Sequence, residues 1–189
     1  SIKKEGGMSA RLSVLLTGGA CYIGSHMVLA LLDAGHTPVI IDDFSTGHEK
    51  LVPSGVPLFR GNVGDSALVA EICDSHKIDA VAHFAASIVV PESVTDPLKY
   101  YVNNTVNTTR FIAVCVDAGI KRFVFSSTAA VYGNQDVSPI HEGANTQPEN
   151  PYGSSKLMSE LVLRDSAAAT DLSYVCLLYT SDAADDSTR

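Results

Sequence analysis

The sequence predicts an α/β chain built on a doubly wound parallel sheet with helices on both faces, and three observations carry that expectation. Short apolar runs alternate with stretches of helical periodicity along most of the 189 residues. A glycine-rich turn, Thr17-Gly18-Gly19-Ala20-Cys21-Tyr22-Ile23-Gly24, joins the first apolar run to the first helical stretch. An acidic residue, Asp42, closes the second apolar run 18 positions after Gly24.

Taken in order, Leu12 to Thr17 is a strand, and Tyr22 to Asp33 is a helix stopped by Gly35. Thr37 to Ile41 and Val56 to Phe59 are strands, Ser66 to Ser75 is a helix, and Asp79 to Phe84 is a strand. Pro97 opens a long helix over Leu98 to Ala118, with Tyr101, Val102, Val106, Phe111, Val114 and Cys115 on its apolar face and Gly119 at its end. Phe123 to Ser126 is a strand. Tyr152 to Ala168 is a helix with Leu157, Leu161 and Val162 on one side, and Leu172 to Val175 a last strand. Strands alternating with helices of this length require crossovers between parallel neighbours, the Rossmann-type arrangement.

Composition narrows the function. With 46% hydrophobic and 18% charged residues the chain is globular, and its formal charge of −8 and scattered lysines and arginines argue against nucleic acid as a partner. Apolar runs such as Val14 to Leu16 and Val28 to Leu32 fall short of the roughly 18 residues of a membrane span, so no membrane partner is expected. Cys21, Cys73, Cys115 and Cys176 lie far apart with no metal-ligand spacing, which favours reduced thiols, a cytoplasmic location and no bound metal. His83 reads as a packed or hydrogen-bonded residue, and the Tyr100-Tyr101 pair as helix packing.

Two clusters carry chemistry. The glycine turn places Gly18, Cys21 and Gly24 where backbone amides and a helix dipole hold a pyrophosphate, and Asp42 can accept hydrogen bonds from a ribose diol while repelling a 2′-phosphate. Together they predict NAD as cofactor. Cys21 stands where a middle glycine is expected, so its side chain should crowd the phosphates. A reactive thiol with its pKa lowered by the helix N-terminus is the sharper alternative. Further along, Tyr152 and Lys156 stand at i and i+4 on one helix face, where an ammonium and a cationic nicotinamide ring would make the phenol a usable base toward a carbinol. Ser126-Ser127-Thr128, directly after a strand, supplies a hydroxyl for a substrate oxygen.

The segments TGG and YIGSH in the turn, HFAA at 83–86, FSSTAAVYG at 125–133 and PYGSSK at 151–156 resemble the extended short-chain dehydrogenase/reductase family over roughly residues 11 to 175. The resemblance implies that Tyr22, Ile23, Asp42 and Asp43 contact NAD, with Asn62 and Val63 near the adenine. Phe84, Ala85, Ala86, Ile88, Asn103 and Ser126 would complete the ribose and nicotinamide side. Thr128 would bridge substrate and Tyr152, and Lys156 would bind the nicotinamide ribose. Asn62 occupies a position often held by aspartate, and Ile88 one held in some members by lysine.

The implied reaction is epimerisation of a UDP-hexose at C4, between UDP-glucose and UDP-galactose, through a 4-keto intermediate. Dehydration would need an acid and a base beside the threonine, whereas Thr128 is followed by Ala129 and Ala130. Epimerisation of UDP-glucuronate stays open, as does a non-catalytic NAD-binding protein or an inactive fragment. The whole-length parent is expected to be a homodimer.

Both ends look foreign. Residues 1 to 10 read as a disordered extension, with translation expected to begin at Met8. From Cys176 onward the text resembles a translated transposase adapter, a non-native tail replacing most of a substrate domain, and a genuine acidic tail is the alternative. The NAD-binding domain is therefore expected over residues 11 to 175.

Overall fold

A computed structural model describes residues 10–135 and 139–178; the expectations for the start at Met8 and for residues 179–189 lie outside them. Six strands form one parallel sheet in the order β3-β2-β1-β4-β5-β6. They are β1 (Ser13–Thr17), β2 (Thr37–Asp42), β3 (Leu58–Arg60), β4 (Ala80–His83), β5 (Arg122–Ser126) and β6 (Ser173–Leu177). The chain winds outward from β1 to β3, then returns to place β4 on the other side of β1. Two loops therefore diverge at the carboxyl ends of β1 and β4, the place where such sheets bind ligands.

Alternation along the strands divides the core in two. Leu15, Val39, Ile41, Val81, Phe123 and Phe125 point to one face, where they meet α2 (Ser66–His76), α5 (Asn107–Asp117) and α6 (Pro151–Ala169) through Val69, Ile72, Phe111 and Leu163. Val14, Leu16, Ile40 and Ala82 point to the other, against Val28 of α1 (Tyr22–Asp33). Residues one apart face opposite ways in a strand, so a sheet covered on both sides needs the continuous apolar runs seen in the sequence. Asp65 caps α2 by accepting from the Leu68 amide at 3.1 Å.

Several elements depart from expectation. A short helix, α3 (Val90–Thr95), precedes the predicted long one. That helix runs as α4 (Pro97–Tyr100), a π-helical stretch Tyr101–Val106, and α5. The wider turn re-phases the helix. Tyr100, Asn104, Thr108, Phe111 and Cys115 turn inward, whereas Val102 and Val106, expected on the buried face, are exposed. In α6 the buried side is polar, with Ser155, Lys156 and Ser159, while the expected Leu161 is exposed. β6 runs to Leu177, two residues past the expected domain end, because Cys176 and Leu177 pair with Phe125 and Ser126.

Phe111 is fully buried and packs on the His83 and Phe123 rings. Phe111→Ala should cost about 3–5 kcal/mol, read as a lowered urea midpoint with an unchanged slope.

Candidate active site

The sequence-predicted residues gather along one edge of the sheet. Gly18 and Cys21 to Gly24 follow β1, Asp42 and Asp43 end β2, and Asn62 and Val63 follow β3. Phe84, Ala85, Ala86 and Ile88 follow β4, and Ser126 and Thr128 end and follow β5. In a parallel sheet all these positions are carboxyl ends of strands, so they share an edge.

The glycine turn is held tightly. Gly18 has φ of 70°, and a Cβ on it would stand 2.9 Å from the Ala85 nitrogen. A Cβ on Gly24 would stand 2.1 Å from the Gly18 carbonyl oxygen, so the first turn of α1 can sit against the loop only as glycine. Cys21 is the N-cap of α1 but makes no side-chain cap, and the first turn carries no acidic residue. The helix N-terminus therefore presents its amides to an anion. Asp42 is buried, with one oxygen accepting from the Ala20 amide at 2.9 Å and the other from the Phe44 amide at 2.8 Å. A carboxylate has about four lone-pair sites, so two such bonds orient it and leave capacity for a diol.

Cys21 has φ −90° and ψ 171°, ordinary extended geometry, so no strain arises from its not being glycine. Its Sγ lies 3.4 Å from Thr46 Oγ1. Burial raises its thiol pKa, the Thr46 hydrogen bond lowers it, and the charges of Asp42 and Asp43 raise it further; the net shift is upward. This corrects the expected lowering: burial is the largest cause of the upward shift and the two carboxylates add to it, so the reactive-thiol reading falls.

Asn62 is committed on both sides. Its amide nitrogen donates to Asp43 at 3.1 Å, and its oxygen accepts from the Gly64 amide and the Asn107 side chain. An aspartate here would face the Asp43 carboxylate, which gives a physical reason for the amide. Val63 is buried in the core, and Ile88 is exposed on the loop after β4. Tyr22 and Ile23 are exposed at the start of α1.

On the other side of the edge, α6 carries Tyr152 and Lys156. Lys156 is 2% exposed, and its Nζ donates to the Ser126 carbonyl at 2.9 Å and lies 4.9 Å from the Phe125 ring centroid. Burial pulls its pKa down to about 8, against the pull of Glu160. Asn150 caps α6 by accepting from the Gly153 amide. A Cβ on Gly153 would stand 2.7 Å from the Ala130 carbonyl oxygen, so this glycine lets the start of α6, with Tyr152, close on the turn after Thr128. Thr128 Oγ1 accepts from the Ala130 amide at 3.2 Å, leaving its hydrogen to donate elsewhere. The Tyr152 ring meets Tyr100 edge-on at 6.5 Å. Tyr100 is buried with its hydroxyl held by Val89 and Glu92.

Asn104 escaped the sequence reading, as did the pairing of Thr17 with His83, although His83 is packed and hydrogen-bonded as expected. Asn104, beside the expected Asn103, ties the β4 loop to α6: it accepts from the Ser87 amide and donates to the Ser87 carbonyl and to Ser155. Asn103 itself donates to the Ser87 hydroxyl at 2.9 Å. Thr17 and His83 form the second connection. Thr17 Oγ1 accepts from the amides of Phe84 and Ala85, both at 3.1 Å, so its hydroxyl donates to His83 Nδ1 at 2.6 Å. His83 is then the Nε2–H tautomer, donating to Thr108 at 2.9 Å. A polar residue inside an apolar strand or helix face was the available signal for Asn104 and for that pairing.

With this geometry in view, the sequence profile of the NAD dependent epimerase/dehydratase family matches residues 14–182. The chain belongs to that family. It is 53% identical over 173 residues to a UDP-glucose 4-epimerase of Azospirillum brasilense, covering 92% of this chain and 50% of that protein. Among solved structures it resembles the UDP-glucose 4-epimerase from Brucella ovis in complex with NAD, with TM-score 0.87, 42% identity and 90% and 52% of the two chains covered. It also resembles the UDP-Glc/GlcNAc 4-epimerase from Campylobacter jejuni, with TM-score 0.86 and 41% identity over 89% of this chain and 53% of the other. The chain spans about half the length of the curated relatives it matches. Among the described residues no helix is long and apolar enough to cross a membrane.

In this family member His83 is fully buried, and burial first, then the Lys156 charge, pushes its pKa from 6.5 down to about 3. The folded chain keeps it neutral while the unfolded chain protonates below about 6.5. Stability from this group should therefore be intact above that pH and fall by roughly 1.4 kcal/mol per unit as pH drops toward 3. Urea midpoints across that window should show the slope, and His83→Phe should flatten it.

Proposed function

We propose that this chain binds NAD across the carboxyl edge of β1, β2 and β4 and serves the epimerisation of UDP-glucose and UDP-galactose at C4, through a 4-keto intermediate. The observation that carries the reading is Lys156, a buried ammonium bonded to the Ser126 carbonyl one helical turn from Tyr152, with Thr128 two residues past Ser126. NAD, when bound, supplies the acceptor and then the donor of the hydride at the carbinol carbon. The first turn of α1 holds its pyrophosphate and Asp42 its adenine ribose, with Asp43 and Asn62 beside the adenine. The residues present fit that group, since the turn has uncapped amides and Asp42 is already oriented.

Tyr152 takes the proton of the sugar hydroxyl and returns it, helped by the positive charge of Lys156, which favours the phenolate. Thr128 donates its hydroxyl hydrogen to the same oxygen. Ala129 and Ala130 bring no second acid or base, so the oxidised sugar would keep its remaining hydroxyls. Relatives of twice this length bear names for the same reaction, which supports the assignment.

A second copy of the chain is the proposed partner. Leu98, 74% exposed, Val102, 54% exposed, and Val106 recur at four-residue spacing on the helix from α4 to α5. Met158 and Leu161 are exposed on α6, which packs beside it. Two apolar stripes on adjacent helices suit a self-complementary helical interface.

Tyr152→Phe should retain NAD and lose far more than tenfold in conversion of UDP-glucose to UDP-galactose, measured in this chain and in the longest product of its gene; a smaller loss would remove Tyr152 as the base. Because the Cys21 backbone is unstrained, Cys21→Gly should tighten NAD binding by about tenfold in calorimetry, about 1.4 kcal/mol, by clearing the phosphate turn. Leu98→Glu with Val102→Glu should shift sedimentation from dimer to monomer without loss of helical signal.

A further inference from the structure

Tyr152, Lys156 and Glu160 recur at four-residue spacing on α6, which stacks a phenol, an ammonium and a carboxylate along one side of the helix. No ion pair links Glu160 to Lys156 among the described residues. Instead the two side chains grip consecutive residues of one strand end. Glu160 accepts a hydrogen bond from the Ser127 hydroxyl, and Lys156 donates to the Ser126 carbonyl. Ser127 is 1% exposed and its amide donates to the Leu177 carbonyl at 2.8 Å, so the strand end is fixed from β6 as well. The next residue along is Thr128.

The charges around this cluster leave Glu160 a distinct part. Lys156 is buried at a cost that pulls its pKa to about 8, and Glu160 opposes that pull. Burial pushes the Glu160 carboxyl up, while Ser127 and Lys156 draw it back. His83 on β4 faces Lys156 and is neutral, its pKa about 3. Tyr132 on the turn after Thr128 and Tyr174 and Cys176 on β6 face Glu160, and burial raises all three, Cys176 to about 12. They are uncharged near neutral pH. Arg164 and Asp165 stand farther along α6, where they act on Tyr174.

We infer that Glu160 is a positioning residue for the Tyr152–Lys156 pair, anchoring the Ser126–Thr128 strand end through Ser127 and serving as the counter-charge of Lys156. The inference rests on the role proposed above for that pair. It gives a carboxylate outside the reacting atoms an influence on the cation beside the phenol and a hold on Ser127, the residue before Thr128.

The test is a proton titration of Lys156 in the whole chain, labelled at the ε-carbon of lysine, with the signal assigned by Lys156→Arg. Its midpoint is expected near 8. Glu160→Gln keeps an acceptor for Ser127 but removes the charge, and should lower the midpoint by about one unit, a tenfold loss of proton affinity. Ser127→Ala keeps the charge and should move it less. A midpoint unchanged or raised in Glu160→Gln overturns the inference. Should that variant not fold, Lys156→Met in chain labelled at the glutamate carboxyl reads the same coupling from the other partner. The Glu160 midpoint should rise, and an unchanged one overturns the inference. The titration needs neither NAD nor turnover, so failure of NAD binding would count against the proposed function alone.

Discussion

A single buried hydroxyl holds the two halves of the site in register. Thr17 ends β1, and its oxygen takes the amides of Phe84 and Ala85 at the end of β4 while its hydrogen goes to His83. The two strands flank the point where the sheet changes winding direction, so any ligand there touches loops that no tight turn connects. One bond between them runs through the backbone, from the Phe84 amide to the Thr17 carbonyl at 3.1 Å, and the Thr17 side chain adds contacts to Phe84 and Ala85; at full burial each polar group must be satisfied. Thr17 does this with one oxygen, and His83 passes the constraint to Thr108 on α5. The approach of Gly18 to Ala85 follows from it, since the loops are drawn too close for a Cβ.

The other side of the site is organised by a helix whose buried face is polar. Ser155 and Ser159 of α6 meet Asn104 and Thr105 of the π-helical stretch through hydrogen bonds between 2.7 and 3.1 Å, and Lys156 between them reaches the Ser126 carbonyl. Such an interface tolerates little slippage, because displacement leaves buried polar groups unpaired at about 1–3 kcal/mol each. No buried side-chain nitrogen or oxygen lacks a partner among the described residues. Apolar packing would be more forgiving in register, whereas this polar contact holds the start of α6, with Tyr152 and Lys156, closely against the π-helical stretch.

The two departures on the carboxyl edge, Cys21 after β1 and Asn62 after β3, have different physical standing. Asn62 is matched to Asp43, an amide facing a carboxylate, and forms a consistent local network. Cys21 has the Thr46 hydroxyl as its side-chain partner and sits at the N-cap of α1 without capping it. One substitution is compensated by its neighbour, while the other is tolerated by the backbone.

Apart from α3 and the π-helical break before α5, the succession of strands and helices was legible in the sequence, as were the glycine turn, Asp42 and the spacing of Tyr152 and Lys156, because each depends on local periodicity or on a fixed short separation. The helix starts at Tyr22 and Ser66 were readable for the same reason. The inward faces of the two helices that build the reactive side were not. Apolar spacing put Val102, Val106 and Leu161 inside, yet a π turn and a polar helix contact turned them out. Nor could spacing show that Thr17, His83 and Thr108, far apart in the chain, form one relay, or that Glu160 meets Ser127. Periodicity reports which residues share a face of one element; which face is buried, and against what, is decided by partners distant in the chain that only the folded sheet brings together.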